Sequence, residues 1–400
     1  MVPMKSILRV FLRKCRSAAW HARHRYEQLR SARELNRRLQ RGNLWLRKIT
    51  RDPPDVLVGA NFAEFGGVHN HIHAIKKYSS LRVEIAPSDG VMQALSAFEF
   101  NHYFGKKFNE YPCSNVRAAH THVFPWFIEW AERARDKCGI RWVHTHHNWY
   151  YPEFGRDGIE EWQEEFNIFF LRAARQSDIC LCVSKAQQRF LKEQFGISSH
   201  FLPNGVDVEA CRRGDSAAWG RLTGLKSGFV LFVGRDDPVK DPAFFVELAC
   251  AMKHRRFVIA GQGISQAVIS RDWKLDIPEN LSVIGALSHA QVQDAIAASA
   301  ALVMCSRREG LPTIVLEAMI AGRPVVVPEE DGCLEATDQG RLGFVYRPRD
   351  LASCARAVDS AIEDRSLVAV AQDVTERIYN WRRIAKQLDD IYLGVGVPGI

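Results

Sequence analysis

Short runs of apolar and β-branched residues, each closed by glycine or a polar turn and followed by a helix-favouring stretch, recur along this chain. The first is Asp55-Val56-Leu57-Val58-Gly59-Ala60-Asn61-Phe62, and residues 82–86, 116–119, 141–145, 179–183 and 200–202 repeat the pattern. Runs that are apolar throughout read as parallel strands covered by helices on both faces, and residues 125–137 and 185–195 supply such helices. The alternation restarts at Phe229-Val230-Leu231-Phe232-Val233 and continues through residues 256–260, 281–284 and 301–305. Two rounds of it in 400 residues predict an α/β chain of two Rossmann-like, doubly wound parallel-sheet domains facing across a cleft. The expected boundaries are 51–207 for the first domain, 208–227 for a low-order linker, 228–378 for the second domain and 379–400 for a closing helix.

Charge is uneven. The first fifty residues hold fourteen Lys and Arg against Glu27 and Glu34, a balance of +12 within a formal total of +8, so the rest carries −4. A mildly acidic body argues against nucleic acid as a partner, and the basic arm predicts contact with an anionic surface by one end. Between Met4 and Thr50 no proline interrupts, so one or two helices are expected, with Leu8, Phe11, Leu12, Trp20, Leu44, Trp45 and Leu46 interleaved with cations. That composition suits a helix lying in a membrane interface; a solvated arm, a partner-binding helix and an organelle-targeting sequence are the competing readings. Ten scattered cysteines without a Cys-x-x-Cys pair read as buried thiols in a reducing compartment, which points to the cytoplasm. No apolar stretch approaches the ~20 residues of a membrane-spanning helix.

Chemistry-bearing residues gather at strand ends, where open α/β sheets bind ligands. After the first run come Glu64-Phe65-Gly66-Gly67-Val68, whose glycines let backbone approach a ligand. His120-Thr121-His122 and His144-Thr145-His146-His147 follow two later strands. Imidazole is a common metal ligand, but no carboxylate completes a site in sequence, so these read as cleft histidines for substrate hydroxyls, and no metal is expected. His69, His71 and His73 are two apart on a helix, do not share a face, and receive no joint role. In the second half, Gly234-Arg235-Asp236-Asp237-Pro238-Val239-Lys240 places two cations on one strand-end loop, suited to a diphosphate. Gly261 and Gly263 end the next strand. Ser306-Arg307-Arg308-Glu309-Gly310-Leu311-Pro312-Thr313 then leads into a helix over 314–321, whose N-terminus can meet an anion. Glu309 on the loop can accept from sugar hydroxyls, and Glu317, within the helix, can hold a ribose diol. Helix capping by Glu309 and solvation of Glu317 are the alternatives.

Glu309-Gly-Leu-Pro-Thr-Ile-Val-Leu-Glu317 resembles the Glu-x7-Glu motif of glycosyltransferase family 4, retaining enzymes of GT-B fold. Phe232-Val-Gly-Arg235 through Lys240, Val183-Ser184-Lys185, Leu202-Pro-Asn-Gly-Val-Asp207, Gly343-Phe-Val and Asn380 through Tyr392 match in the family's order. Asp331-Gly332-Cys333-Leu334-Glu335 departs from the more usual Gly-Gly-Ile/Val-Pro-Glu. The resemblance implies a nucleotide-diphosphate sugar as donor substrate, no cofactor, and a glycan or lipid-linked acceptor. It implies that Arg235 and Lys240 bind the donor diphosphate, Glu309 the transferred sugar and Glu317 the ribose. Gly310, Leu311, Pro312 and Thr313 would line the sugar-phosphate, with Gly261 and Gly263 beside them and Gly67 closing over phosphate. His147 matches the active-site histidine, His146 being the register alternative. Front-face attack and a covalent Glu309 intermediate are both open, and a non-catalytic nucleotide-sugar-binding or assembly subunit is the alternative function. A nicotinamide oxidoreductase is disfavoured, since no Gly-x-Gly-x-x-Gly turn follows the first strand. Acceptor choice is expected in residues 88–109 and 149–162, the latter carrying Trp149, Tyr150, Tyr151, Phe154 and Trp162.

Overall fold

A computed structural model describes residues 32–62, 66–147, 149–152 and 158–395. The turn residues Glu64 and Phe65, the aromatic Phe154 and the arm before Ala32 lie outside the described residues. The chain divides into two compact units: 1–182 with 191–200 and the chain from Ala385 on, and 183–190 with 201–384.

The strands are β1 (Val56–Gly59), β2 (Val83–Ala86), β3 (Ala118–Thr121), β4 (Arg141–His146), β5 (Ile179–Cys182), β6 (His200–Phe201), β7 (Phe229–Val233), β8 (Phe257–Ala260), β9 (Leu281–Gly285), β10 (Ser299–Val303), β11 (Val325–Pro328) and β12 (Phe344–Tyr346). They form two six-stranded sheets ordered β2-β1-β3-β4-β5-β6 and β12-β11-β10-β7-β8-β9. Each sheet starts at an interior strand and winds both ways. Its crevice therefore opens at the carboxyl ends of β1 and β3 in one unit, and of β7 and β10 in the other. Leu231 of β7 sits in register with Leu302 of β10, and Val58 of β1 with His120 of β3.

Alternation along β7 shows why the strands are apolar on both faces. Phe229 and Leu231 join one buried cluster with Leu316 and Trp219, while Val230 and Phe232 join another with Phe244 and Phe257. Burying each such side chain contributes about 2 kcal/mol.

Three expectations are corrected here. Trp45 and Leu46, read as interfacial residues of the arm, belong to the first core: Trp45 stacks on Phe108 at 5.7 Å and meets Phe100 edge-on at 5.9 Å. The helix Ala32–Arg51 that carries them is held by Arg38, which donates to Glu99 and to the Ala94 carbonyl at 2.6 Å, and by Tyr111 donating to the Ile49 carbonyl. Leu44 alone of that trio is exposed. The stretch expected as a low-order linker forms the helices Val208–Arg212 and Ser216–Thr223, capped by Asp207 and Asp215. Their Cys211 and Trp219 are buried in the second unit's core, so tertiary burial orders a segment of weak periodicity. Finally, Cys113 and Cys138 are bonded to each other rather than being separate thiols. The fold brings the turn before β3 to the end of the helix Pro125–Cys138, a pairing that sequence spacing does not indicate.

Candidate functional site

In the second unit, three loops meet at the carboxyl ends of β7, β8 and β10. Gly261 follows β8 so closely on the Gly234 carbonyl that a Cβ there would lie 1.5 Å from that oxygen. Asp236 N–H donates to the Gln262 carbonyl, and Gly263 takes φ +83° against the Asp236 side chain. On the other side, Arg307 N–H donates to the Val239 carbonyl at 2.8 Å. The Arg307 guanidinium reaches Asp241 at 2.9 Å, and Arg349 bonds the same carboxylate. Asp241 is buried, so two guanidiniums satisfy a charge that would otherwise be costly there.

These ties bring Lys240 and Glu309, 69 residues apart, into direct contact: Lys240 Nζ donates to Glu309 Oε1 at 2.6 Å. The Glu309 side chain is only 9% exposed and that of Lys240 28%. Arg235 is 56% exposed and pairs with Asp237 on its own loop at 3.1 Å. After Glu309, Gly310 and the buried Leu311 and Pro312 lead into the helix Thr313–Ile320. Pro312 occupies the N-cap without a side-chain cap bond, and the first N–H groups of any helix have no partner within it. That end offers donors and a positive dipole to an anion.

Glu317 is the fifth residue of the helix and is buried rather than solvated; its Oε2 accepts from Gln293 Nε2 at 2.5 Å, with His289 Nε2 at 3.7 Å. Sequence reading missed Gln293 because it lies on a separate helix. It also missed Glu330, which holds the Glu309 loop from behind. Glu330 Oε1 accepts from Glu309 N–H at 2.7 Å and Oε2 from Cys333 N–H at 3.1 Å. Burial pushes the Glu330 carboxyl up, opposed by those backbone donors. Gly332, where the segment keeps the glycine of the more usual pattern, is packed closely: a Cβ on it would lie 2.6 Å from the Glu309 carbonyl oxygen. Glu335 of the same segment accepts from Lys185 and Ala186 N–H.

The remaining expected residues lie in the first unit. Gly67 opens the helix Gly67–Tyr78, and a Cβ on it would meet nothing within 4 Å among the described residues. His147 follows β4 and is half-buried, whereas His146 is fully buried. The reading of the other histidines as substrate contacts is corrected, because His120, His122, His144 and His146 are all buried. His120 spends both ring nitrogens inside the protein, on Tyr392 Oη at 2.6 Å and Thr145 Oγ1 at 2.7 Å. Burial holds His120, His122 and His147 well below the usual imidazole range, and His144 and His146 down to about 3 and about 4. His71, given no role shared with His69 and His73, meets histidines of other elements: its ring lies 5.3 Å from that of His122 and 4.8 Å from that of His147. Helical spacing excludes His69 and His73 from its face, but not residues from two other strand ends.

Residues 221–381 match the family description "Glycosyl transferases group 1", and residues 81–210 match "Glycosyltransferase Family 4". The chain belongs to the glycosyltransferases. This glycosyltransferase is 26% identical over 277 residues to an Escherichia coli UDP-Gal:alpha-D-GlcNAc-diphosphoundecaprenol alpha-1,3-galactosyltransferase, covering 64% of the present chain and 69% of the relative. It is 27% identical to a phosphatidyl-myo-inositol mannosyltransferase of Mycobacterium leprae, covering 55% and 60% respectively. It spans about half the length (55%) of a Mycobacterium tuberculosis glycogen synthase, at 28% identity. Anabaena HepE, solved with UDP-glucose, superposes with a TM-score of 0.68 at 16% identity over 85% of this chain and 100% of that one. Sucrose-phosphate synthase of Thermosynechococcus elongatus gives 0.67 at 16% identity, over 85% and 98%. The transferase therefore has the GT-B fold. No described helix is long and apolar enough to cross a membrane.

Proposed function

We propose that this transferase is a retaining enzyme that moves a sugar from a nucleotide-diphosphate sugar to a hydroxyl of a glycan or lipid-linked acceptor. The observation that carries the reading is the 2.6 Å contact between Lys240 and Glu309 beside an open helix N-terminus. It sets a cation, a carboxylate and free backbone donors within one strand-end crevice, which is what a sugar diphosphate requires. Lys240 and Arg235 take the diphosphate, Glu309 accepts from hydroxyls of the transferred sugar, and Glu317 accepts from the ribose diol. Gly310, Leu311, Pro312 and Thr313 line the sugar-phosphate, with Gly261 and Gly263 admitting backbone close to the nucleotide.

As the glycosidic bond breaks, negative charge grows on the leaving diphosphate, and donors already aimed at it lower the barrier without reorganising. Two cations and the helix end supply that charge, so no metal ion is needed at the diphosphate. In a front-face route the acceptor hydroxyl arrives from the leaving-group side and hands its proton to a phosphate oxygen, and positioning supplies the rest. Retention is tested by NMR of the product's anomeric proton, with an α-linked donor and a soluble diphosphate-linked sugar as acceptor. An α product is expected, and a β product overturns the retaining mechanism.

The named substrates of the Escherichia coli and Mycobacterium leprae relatives are lipid-linked, and the arm before Ala32 carries Lys5, Arg9, Arg13, Lys14 and Arg16. Each basic residue near an anionic leaflet contributes about 1 kcal/mol. We therefore place the enzyme on the cytoplasmic face of a membrane, making polysaccharide or glycolipid. A chain beginning at Ala32 keeps the Trp45 core and is expected to turn over donor normally while losing its partition onto phosphatidylglycerol vesicles. Equal partition by both chains would sink the membrane assignment.

A further inference from the structure

Outside the donor crevice, the first unit gathers histidines at the place where its own sheet reverses direction. His71 comes from the helix after β1, His122 from the end of β3 and His147 from the end of β4. One ring nitrogen from each lies within 4.8 Å of the others. We propose that His71, His122 and His147 bind one divalent transition-metal ion of the zinc class, leaving one coordination position open to an oxygen ligand.

Four observations carry this. The first is the donor set: three imidazoles from three separate segments converge, and three nitrogens with an open fourth position is an arrangement suited to tetrahedral zinc with Zn–N of about 2.0–2.1 Å. Ideal tetrahedral nitrogens at that bond length sit roughly 3.3 Å apart. His122 Nδ1 and His147 Nε2 share a hydrogen bond at 2.9 Å, which holds the two rings side by side. The second is an orphan: His122 Nε2 is buried and bonded to no group among the described residues. Burying an imidazole nitrogen without a partner is costly, and Nε2 is the His122 atom that an ion would satisfy while Nδ1 keeps its bond to His147. The third is enclosure: the His71 and His122 rings are buried, so packing holds their nitrogens in place around the shared point. The fourth is discrimination among neighbours: His120, whose ring is 4.2 Å from that of His122, is engaged on both nitrogens by Tyr392 and Thr145 and buttresses the cluster from behind.

His71 and His122 are buried while His147 is half-exposed, which puts the open position on the solvent side. The oxygen ligand is a water or a hydroxyl or phosphate oxygen of the acceptor. The assignment rests on residues of the first unit alone and does not depend on the role given to Lys240.

The test uses the full chain, stripped by dialysis against a chelator and titrated with Co2+, whose visible ligand-field bands report tetrahedral coordination. One equivalent per chain is expected, displaced by one equivalent of Zn2+, and Zn2+ raises Tm because the ion binds the folded state alone. His71→Gln and His122→Gln are expected to weaken Co2+ binding at least hundredfold, while the exposed His102→Gln leaves it unchanged. Circular dichroism establishes that each variant is folded. Folded wild-type protein that shows no stoichiometric Co2+ bands overturns the proposal whatever the variants do. So does a folded His71→Gln that binds as the wild type does.

Discussion

Lys240→Ala is expected to reduce donor turnover by about 10²–10³-fold, the loss typical of removing one aimed donor from a developing negative charge. The size follows from where Lys240 sits. Its side chain is 28% exposed and its ammonium is bonded to Glu309 at 2.6 Å, so little solvent replaces it when it is removed. The change also strips Glu309 of its counter-charge while the Glu330 carboxylate remains bonded to the Glu309 backbone. The two acids then repel with no cation between them, and the loop that presents Glu309 loses its pose. Lys240→Arg should restore little, because a planar fork does not fit a site made for a compact ammonium. Arg235→Ala should cost less, since that side chain is more than half exposed and already paired on its own loop. Steady-state release of free nucleotide checks the series, and an Arg235→Ala loss far exceeding that of Lys240→Ala would contradict this ranking.

Gly261→Ala is expected to destabilise the second unit by about 3 kcal/mol or more, at the upper end of the cost of overpacking. A Cβ 1.5 Å from the Gly234 carbonyl oxygen cannot be accommodated by turning a side chain, because the obstacle is backbone at the end of β7. Gly261 is also fixed on its far side, where its N–H donates to the Gly285 carbonyl at 2.7 Å, so β8 cannot retreat without losing a bond to β9. Moving Gly234 instead displaces the loop that carries Arg235 and Lys240, so donor binding should fall together with stability. A Tm drop on the order of 6–12 °C corresponds to that cost in a unit of this size. Gly67→Ala is the comparison: among the described residues nothing lies within 4 Å of the added methyl, and Tm should not move. A Gly261→Ala protein that melts with the wild type would contradict the close approach of β7 and β8.

The two rounds of strand and helix were legible because a parallel strand buried on both faces must be apolar throughout, as Phe229 to Val233 is. Glu309 and Glu317 were legible because a loop carboxylate, a Pro312 helix start and a second acid fall within one short segment. What could not be read is what depends on which strands become neighbours. β10 lies beside β7 although β8 and β9 intervene in sequence, and that adjacency creates the Lys240–Glu309 pair and the Arg307–Asp241 pair. Glu330 and Gln293 were invisible for the same reason, since each acts on a residue more than twenty positions away. His71 looked isolated on a helix until β3 and β4 brought His122 and His147 to it. Trp45 was misread because a cationic helix with one apolar stripe looks alike whether the stripe meets lipid or Phe100 and Phe108.

The central claim is that the crevice at β7 and β10 breaks the bond between a sugar and a nucleoside diphosphate. The most direct measurement incubates the 400-residue chain with UDP-, GDP- and ADP-sugars and a diphosphate-linked acceptor, scoring free nucleotide for the wild type, Lys240→Ala and Glu309→Ala. Turnover of one donor by the wild type, lost in both folded variants, is the predicted result. Nucleotide release that persists undiminished in both variants, or tight donor binding with no turnover of any sugar, would contradict it.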